Sequence, residues 1–208
     1  MTVTKLAVIS DVHADVHALR DALTQIDRIG VERVLCGGDL LDYGLFPEET
    51  LMLLGERKIS CIRGNHDRWA TMSGADMSGW HLTERSAGFL DSLPSYWRKL
   101  INGVRIVLTH ARPESDMRGI APDAPDHQLI ELLGEAGADV LLVGHTHIPF
   151  SRRLPDGRLV CNPGALLRDP APGVEVPTPG TFGILGIADG NVTFEIRRAS
   201  DGRLVGDG

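Results

Sequence analysis

Five short clusters of polar residues could do chemistry together. They are Asp11-Val12-His13, Asp39, Asn65-His66-Asp67, His110 and His145-Thr146-His147. Asp11 with His13, and His145 with His147, stand two residues apart. In an extended segment that spacing turns both side chains to one face, so each pair can act as joint ligands. Taken singly, each residue has an ordinary explanation. An aspartate after a strand commonly caps the next helix, and a buried histidine is commonly a hydrogen-bonded core residue. Together they resist it, because five of the eight histidines fall in these clusters. Buried there without a ligand, they would carry a large desolvation cost. Imidazole and carboxylate without thiolate suit Mn, Fe, Co, Ni or Zn better than Ca or Mg. Asp11, His13, Asp39, Asn65, His110, His145 and His147 are too many for one four-coordinate zinc. Two cations about 3.5–4 Å apart, bridged by a carboxylate and a hydroxide, would use them all. Two aspartates leave such a pair positively charged, which suits an anionic substrate such as a phosphate ester.

Each cluster follows an apolar run that reads as a buried strand. Leu6 to Ile9 precedes Asp11, Val34 to Cys36 precedes Asp39, and Ile59 to Ile62 precedes Asn65. Val104 to Thr109 precedes His110, and Val140 to Val143 precedes His145. Between the first three runs, Val16, Leu19, Leu23 and Ile26 recur at helical spacing, and Pro47-Glu48-Glu49 opens a second helix. This β-α-β-α-β rhythm predicts parallel strands with crossover helices. Asn102-Gly103 between Tyr96–Ile101 and Val104–Thr109 predicts a hairpin. Leu82–Leu93 and Asp126–Gly137 are expected as helices. The last third is strand-like over 150–154, 158–161, 182–188 and 192–196, with a proline-rich loop at 170–180. The expected fold is α/β: two mixed β-sheets packed as a sandwich with helices on both outer faces. In such sheets ligands gather beyond the carboxyl ends of strands, where all five clusters lie.

The chain has 208 residues, 42% hydrophobic and 24% charged, with net charge -7. That supports one domain over 1–208, with 198–208 expected as a flexible tail. It excludes global disorder and coiled-coil composition, and no apolar run is long enough to span a membrane. No basic block recommends nucleic acid as a partner. Cys36, Cys61 and Cys161 are scattered, without a CxxC spacing, which points to buried thiols and a cytoplasmic location.

The motifs D-x-H, G-G-D, G-N-H-D, a strand-end His and G-H-T-H, in that order from Asp11 to His147, resemble the calcineurin-like metallophosphoesterases. Asn162-Pro163-Gly164 resembles the segment that follows in that family. The small size resembles its small bacterial and archaeal phosphodiesterase branch. The resemblance implies a sandwich fold and two divalent transition-metal ions, manganese favoured over Fe, Zn, Co or Ni. It implies Asp11, His13, Asp39 and His147 on the first cation. Asp39, Asn65, His110 and His145 would hold the second, with Asp39 bridging. His66 would stand beside the scissile phosphate and protonate the leaving oxygen, and Asp67 would orient His66. A metal-bridging hydroxide would attack phosphorus. Where several phosphatase branches carry D-R-G, this chain has Asp42-Tyr43-Gly44. Losing that arginine favours diesters over monoesters, with a phosphomonoesterase, phosphoprotein phosphatase or nucleotide phosphatase as the alternative. A metal-containing protein-binding scaffold with little turnover is the alternative of a different class. Ala111 and Ala165 also depart from the family's Gly and Ser. Arg112, after the strand-end His110, and Arg63, before G-N-H-D, are the candidate contacts to a small phosphoester substrate.

Overall fold

A computed structural model describes residues 3–74, 79, 81–167, 180–188 and 190–205. The strands are β1 (Thr4–Ile9), β2 (Arg33–Cys36), β3 (Ser60–Cys61), β4 (Tyr96–Ile101), β5 (Val104–Thr109), β6 (Val140–Leu142), β7 (Phe150–Arg153), β8 (Leu159–Asn162), β9 (Thr181–Ala188) and β10 (Asn191–Arg198). The helices are α1 (Val16–Ile29), α2 (Pro47–Glu56), α3 (Asn65–Ser73), α4 (Glu84–Asp91) and α5 (Asp126–Ala136).

Two five-stranded sheets form, ordered β10-β9-β1-β2-β3 and β4-β5-β6-β8-β7. In the first, β1, β2 and β3 run parallel, as the crossover rhythm predicts, while β9 and β10 add as an antiparallel ribbon. In the second, β5, β6 and β8 run parallel, with β4 and β7 antiparallel at the edges. The mixed two-sheet α/β expectation is therefore met.

Alternation along the strands explains the layers. In β1, Leu6 and Val8 face a core shared with Leu108, Leu142 and Leu185 of neighbouring strands. Ala7 and Ile9 face the other way, onto Leu19, Leu23 and Ile26 of α1. In the second sheet Val107 and Leu141 turn outward onto Leu129 and Leu133 of α5. Both faces of each sheet's centre are buried, so these strands read as continuous apolar runs. Helix α1 starts where the Asp15 side chain accepts from the Ala18 backbone N–H at 2.8 Å, and it stops at Gly30.

Three elements differ from expectation. Helix α3 begins on Asn65 itself and carries little apolar periodicity, so no helical pattern marks it. Strand β3 is only two residues long, because the chain leaves the sheet at once to deliver Asn65. The expected flexible tail turns back on β10 as far as Val205: Arg198 N–H donates to Arg203 O at 2.9 Å, and Val205 N–H donates to Ile196 O at 2.8 Å. The proline-rich loop lies outside the described residues except for Gly180. Among the described residues no helix is long and apolar enough to cross a membrane.

Candidate metal centre

All seven expected ligands converge at the carboxyl ends of the parallel strands. Asp11 and His13 come from the turn after β1, Asp39 follows β2, and Asn65 follows β3. His110 follows β5, and His145 and His147 follow β6. Each sheet thus supplies part of every group. Asp11, His13 and His147 place one ligating atom each within 4.8 Å of one another, and so do Asp39, His110 and His145. Asp39 Oδ2 lies 3.2 Å from His110 Nε2 and 3.9 Å from His13 Nε2, so it stands between the two groups.

The backbone bends sharply to do this. Asp11, His13, Asp39, His145 and His147 all adopt positive φ, between 49° and 66°. Non-glycine residues rarely occupy that region, and such strain clusters at functional sites. Close packing locks the turns. A Cβ at Gly144 would sit 2.1 Å from Ser10 Oγ and 2.6 Å from Asp11 Oδ2. The Gly144 position therefore admits no side chain, and the freed His145 N–H donates to both Asp11 oxygens at 3.1 Å.

The imidazoles are oriented from behind. His13 Nδ1–H donates to Leu41 O at 2.9 Å, and His110 Nδ1–H to Gly37 O at 2.8 Å. Each Nε2 is left facing inward, the position from which histidine, once deprotonated there, binds metals. His13 Nε2 then faces His147 Nε2 at 3.0 Å, and His110 Nε2 faces both Asn65 Oδ1 at 2.9 Å and Asp39 Oδ2. Asn65 Oδ1 also meets His145 Nδ1 at 3.0 Å. A turned Asn65 amide would donate to both rings instead; with oxygen inward, acceptors meet acceptors and a cation completes the set. The donor set therefore fits divalent transition metals.

The same convergence shifts the titrations. Burial pushes His13 down to about 4, against the pull of Asp39 and Asp11. Burial opposes the charged form of His110 as well, but the adjoining Asp39 carboxylate overrides it and lifts His110 to about 10. Asp39 resists burial through the same pairing with His110 and is held well below the usual carboxylate range.

His66 stands beside this group, its Nε2 4.0 Å from Asp39 Oδ2 and its backbone N–H donating to Asp39 Oδ1 at 3.0 Å. The expectation for Asp67 is corrected here. Asp67 does not touch the His66 ring; its carboxylate accepts from Leu40 N–H at 2.8 Å and Gly64 N–H at 2.9 Å. At the third position of α3 it points back to cap the helix and tie down the Asp39 turn. Burial and nearby Asp39 push it up to about 7. The residue that grips His66 is Asp42, whose Oδ2 lies 2.5 Å from Nδ1. Burial opposes a charged His66, yet the Asp42 hydrogen bond wins and raises it. Sequence reading missed Asp42 and its neighbour Tyr43, whose hydroxyl lies 3.3 Å from His66 Nε2. The available signal was an aspartate three residues past Asp39, where the D-R-G comparison drew attention only to a missing arginine.

Trp69 packs edge-on to His66, with ring centroids 4.9 Å apart. His17 packs against Phe46 rather than joining the centre. Arg63 and Arg112 lie in a cleft that His110 helps to line.

The calcineurin-like phosphoesterase superfamily domain matches residues 4–189, and the chain belongs to that family. Its members bind divalent metal ions. A probable metallophosphoesterase of Methanothermobacter thermautotrophicus is 32% identical over 162 residues, covering 77% of this chain and 76% of that one. Two solved structures share the fold. A metallophosphoesterase from Sphaerobacter thermophilus has a TM-score of 0.70 at 23% identity, covering 93% of this chain and 87% of its own. Vps29 complexed with zinc from Entamoeba histolytica has a TM-score of 0.60 at 21% identity, covering 97% and 96%.

Proposed function

We propose that this chain hydrolyses phosphodiesters at a centre of two divalent transition-metal cations, manganese preferred. The observation that carries the reading is the seven-ligand convergence with His66 held beside it by Asp42. Asp11, His13, Asp39 and His147 would hold the first cation; Asp39, Asn65, His110 and His145 would hold the second. When bound, the cations supply an activated water and neutralise phosphoryl oxygens. Asp39 would be shared by both, and the carbonyls behind His13 and His110 keep their Nε2 atoms facing inward. His66, kept charged by Asp42, delivers the Nε2 proton to the departing oxygen. Asp67 acts one step removed, by fixing the turns that carry Asp39 and His66. No Ser or Cys nucleophile is required.

The diester preference rests on the Asp42-Tyr43-Gly44 turn. It offers a phenol where a second cationic clamp would favour a dianionic monoester. Three free cysteines, all buried, support a reducing cytoplasmic setting. The competing reading is a scaffold of low turnover, favoured by the fold shared with Vps29.

One comparison separates these readings. The manganese-loaded protein is expected to cleave an aryl phosphodiester with kcat/KM at least equal to that for the matching monoester. Elemental analysis is expected to find close to two equivalents of metal per chain. A strong monoester preference overturns the diesterase reading, and no turnover of either ester with full metal loading favours the scaffold.

A further inference from the structure

Two arginines flank the second half of the metal centre. Arg63 lies two residues before Asn65 and Arg112 two residues after His110, and Asn65 Oδ1 and His110 Nε2 are themselves 2.9 Å apart. Backbone bonds fix both positions. Arg63 N–H donates to Pro94 O at 2.8 Å, and Arg112 N–H donates to Arg118 O at 3.0 Å. Both side chains are half-buried and line one cleft of about 340 Å³, together with Ser95, His110, Glu114 and Asp116.

Neither guanidinium has a carboxylate partner among the described residues. The Arg112 Nε is buried without any hydrogen-bond acceptor. One of the cleft's two acids is already committed: Asp116 receives Nε and Nη2 of Arg68 at 2.6 and 3.1 Å. Glu114, the remaining acid of the cleft, is exposed and ion-paired to neither arginine. A buried donor with no acceptor is costly in a folded protein and ordinarily marks a place for a ligand or water. A guanidinium fork matches the oxygens of a phosphate. The cleft is also larger than a single phosphoryl group requires, since one water occupies only ~30 Å³. A second cleft, of about 730 Å³, lies along α5 and shares Arg112, Glu114 and Ser115 with it.

Building on the hydrolase reading, we infer that the Arg63–Arg112 cleft is a subsite for a second phosphate of the substrate. The preferred substrates are thus phosphodiesters that carry another phosphate close to the scissile one. The scissile group lies over the cations, and the second phosphate lies beside His110, between the two arginines.

A pair of probes with the same scissile diester tests this: the thymidine dinucleotide TpT and its 5′-phosphorylated form pTpT. Calorimetry on manganese-loaded H66A protein reads binding with turnover slowed about 10²-fold or more. It is expected to show pTpT bound at least tenfold more tightly than TpT. R112A and R63A in that background should each shrink the ratio, and the double variant should bring it near one. R112K, which keeps the charge and loses the fork, should retain only part of it. In the wild-type protein the same ratio should appear in kcat/KM. Equal binding of the two probes to H66A overturns the subsite, as does a ratio that survives R112A, R112K and R63A. Turnover of the aryl diester with no pTpT advantage sinks the subsite alone. A pTpT advantage in binding, with no ester hydrolysed by the wild type, sinks the hydrolase reading and upholds the subsite.

Discussion

The two ends of the parallel strands solve the same turning problem differently. At the amino-terminal end of β5 the chain turns at Asn102-Gly103, with φ of 47° and 80°, and at that of β8 it turns at Gly157, with φ of 87°. These residue types enter the left-handed region at little cost. At the carboxyl-terminal end the same region holds Asp11, His13, Asp39, His145 and His147. Tyr43 joins them at 65°. The first end turns mainly on Gly and Asn, with Lys58 before β3 at 50°; the second turns largely on Asp and His, residue types that can also ligate a cation. The difference teaches that the carboxyl-terminal turns hold residue types a cation can use where glycine would serve the turn alone.

The sharpest way to break the comparison is at Asp39. Asp39→Ala removes the carboxylate between the two groups. It should lower metal content and reduce kcat/KM by about 10³-fold or more, the scale of several kcal/mol of charge stabilisation. Retention of two metals and of near wild-type rate would show that the strained Asp39 turn serves no cation.

His66→Ala comes next, with an expected loss of about 10²-fold or more and metal content unchanged. Asp42→Asn should lose less, on the order of tenfold, about 1.4 kcal/mol of barrier. Its signature lies in the pH profile. Asp42 raises His66, and activity needs His66 protonated. Removing that carboxylate should therefore move the alkaline limb to lower pH. Asp67→Asn should move that limb less, since Asp67 acts on His66 only through space, and should cost about 1–3 kcal/mol in denaturant unfolding through its buried backbone donors. An alkaline-limb shift in Asp67→Asn but not in Asp42→Asn would reverse the correction made above.

A pair of glycine substitutions compares the two ends directly. Gly144→Ala drives a methyl into Ser10 and Asp11, and should cost about 1–3 kcal/mol along with metal affinity. Gly157→Ala meets no atom within 4 Å and should cost only the left-handed strain, about 1 kcal/mol, with metal binding intact. The smallest effect is expected at the Arg105–Asp139 pair, on the far end of β5. Arg105 holds Asp139 below its usual range, so the pair contributes above the ordinary carboxylate pKa and fades as pH falls through the lowered one. Arg105→Ala should leave activity unchanged, and its small effect on unfolding should disappear in acid.

The convergence of Asp11, His13, Asp39, Asn65, His110, His145 and His147 was legible because particular residue types follow particular apolar runs, and both signals are local. Helices α1 and α5 were legible from periodicity, and the β4–β5 hairpin from Asn102-Gly103. Helix α3 was hidden because its first residues are chosen for the centre rather than for an apolar face. The Asp42–His66 pair was hidden for another reason. It joins residues 24 apart through a turn whose shape depends on positive φ at Asp39, Asp42 and Tyr43. The spacing Asn65-His66-Asp67 suggests a neighbourly partner. Helix geometry instead swings Asp67 back onto Gly64 and away from the ring.

Each ligand group takes members from both sheets: Asp11 and His13 against His147, and Asp39 against His110 and His145. A cation held by either group would thus fasten one sheet to the other across the open rim of the sandwich, since each group draws on both sheets. A partly folded chain with one sheet formed has little claim on metal, whereas the docked sandwich has a strong one. Binding confined to the finished fold feeds directly into stability, by about 2.7 kcal/mol at a free metal concentration of 100 times Kd. Metal supply would then act as a quality gauge on assembly: the molecules able to load would be those whose two sheets have met in register.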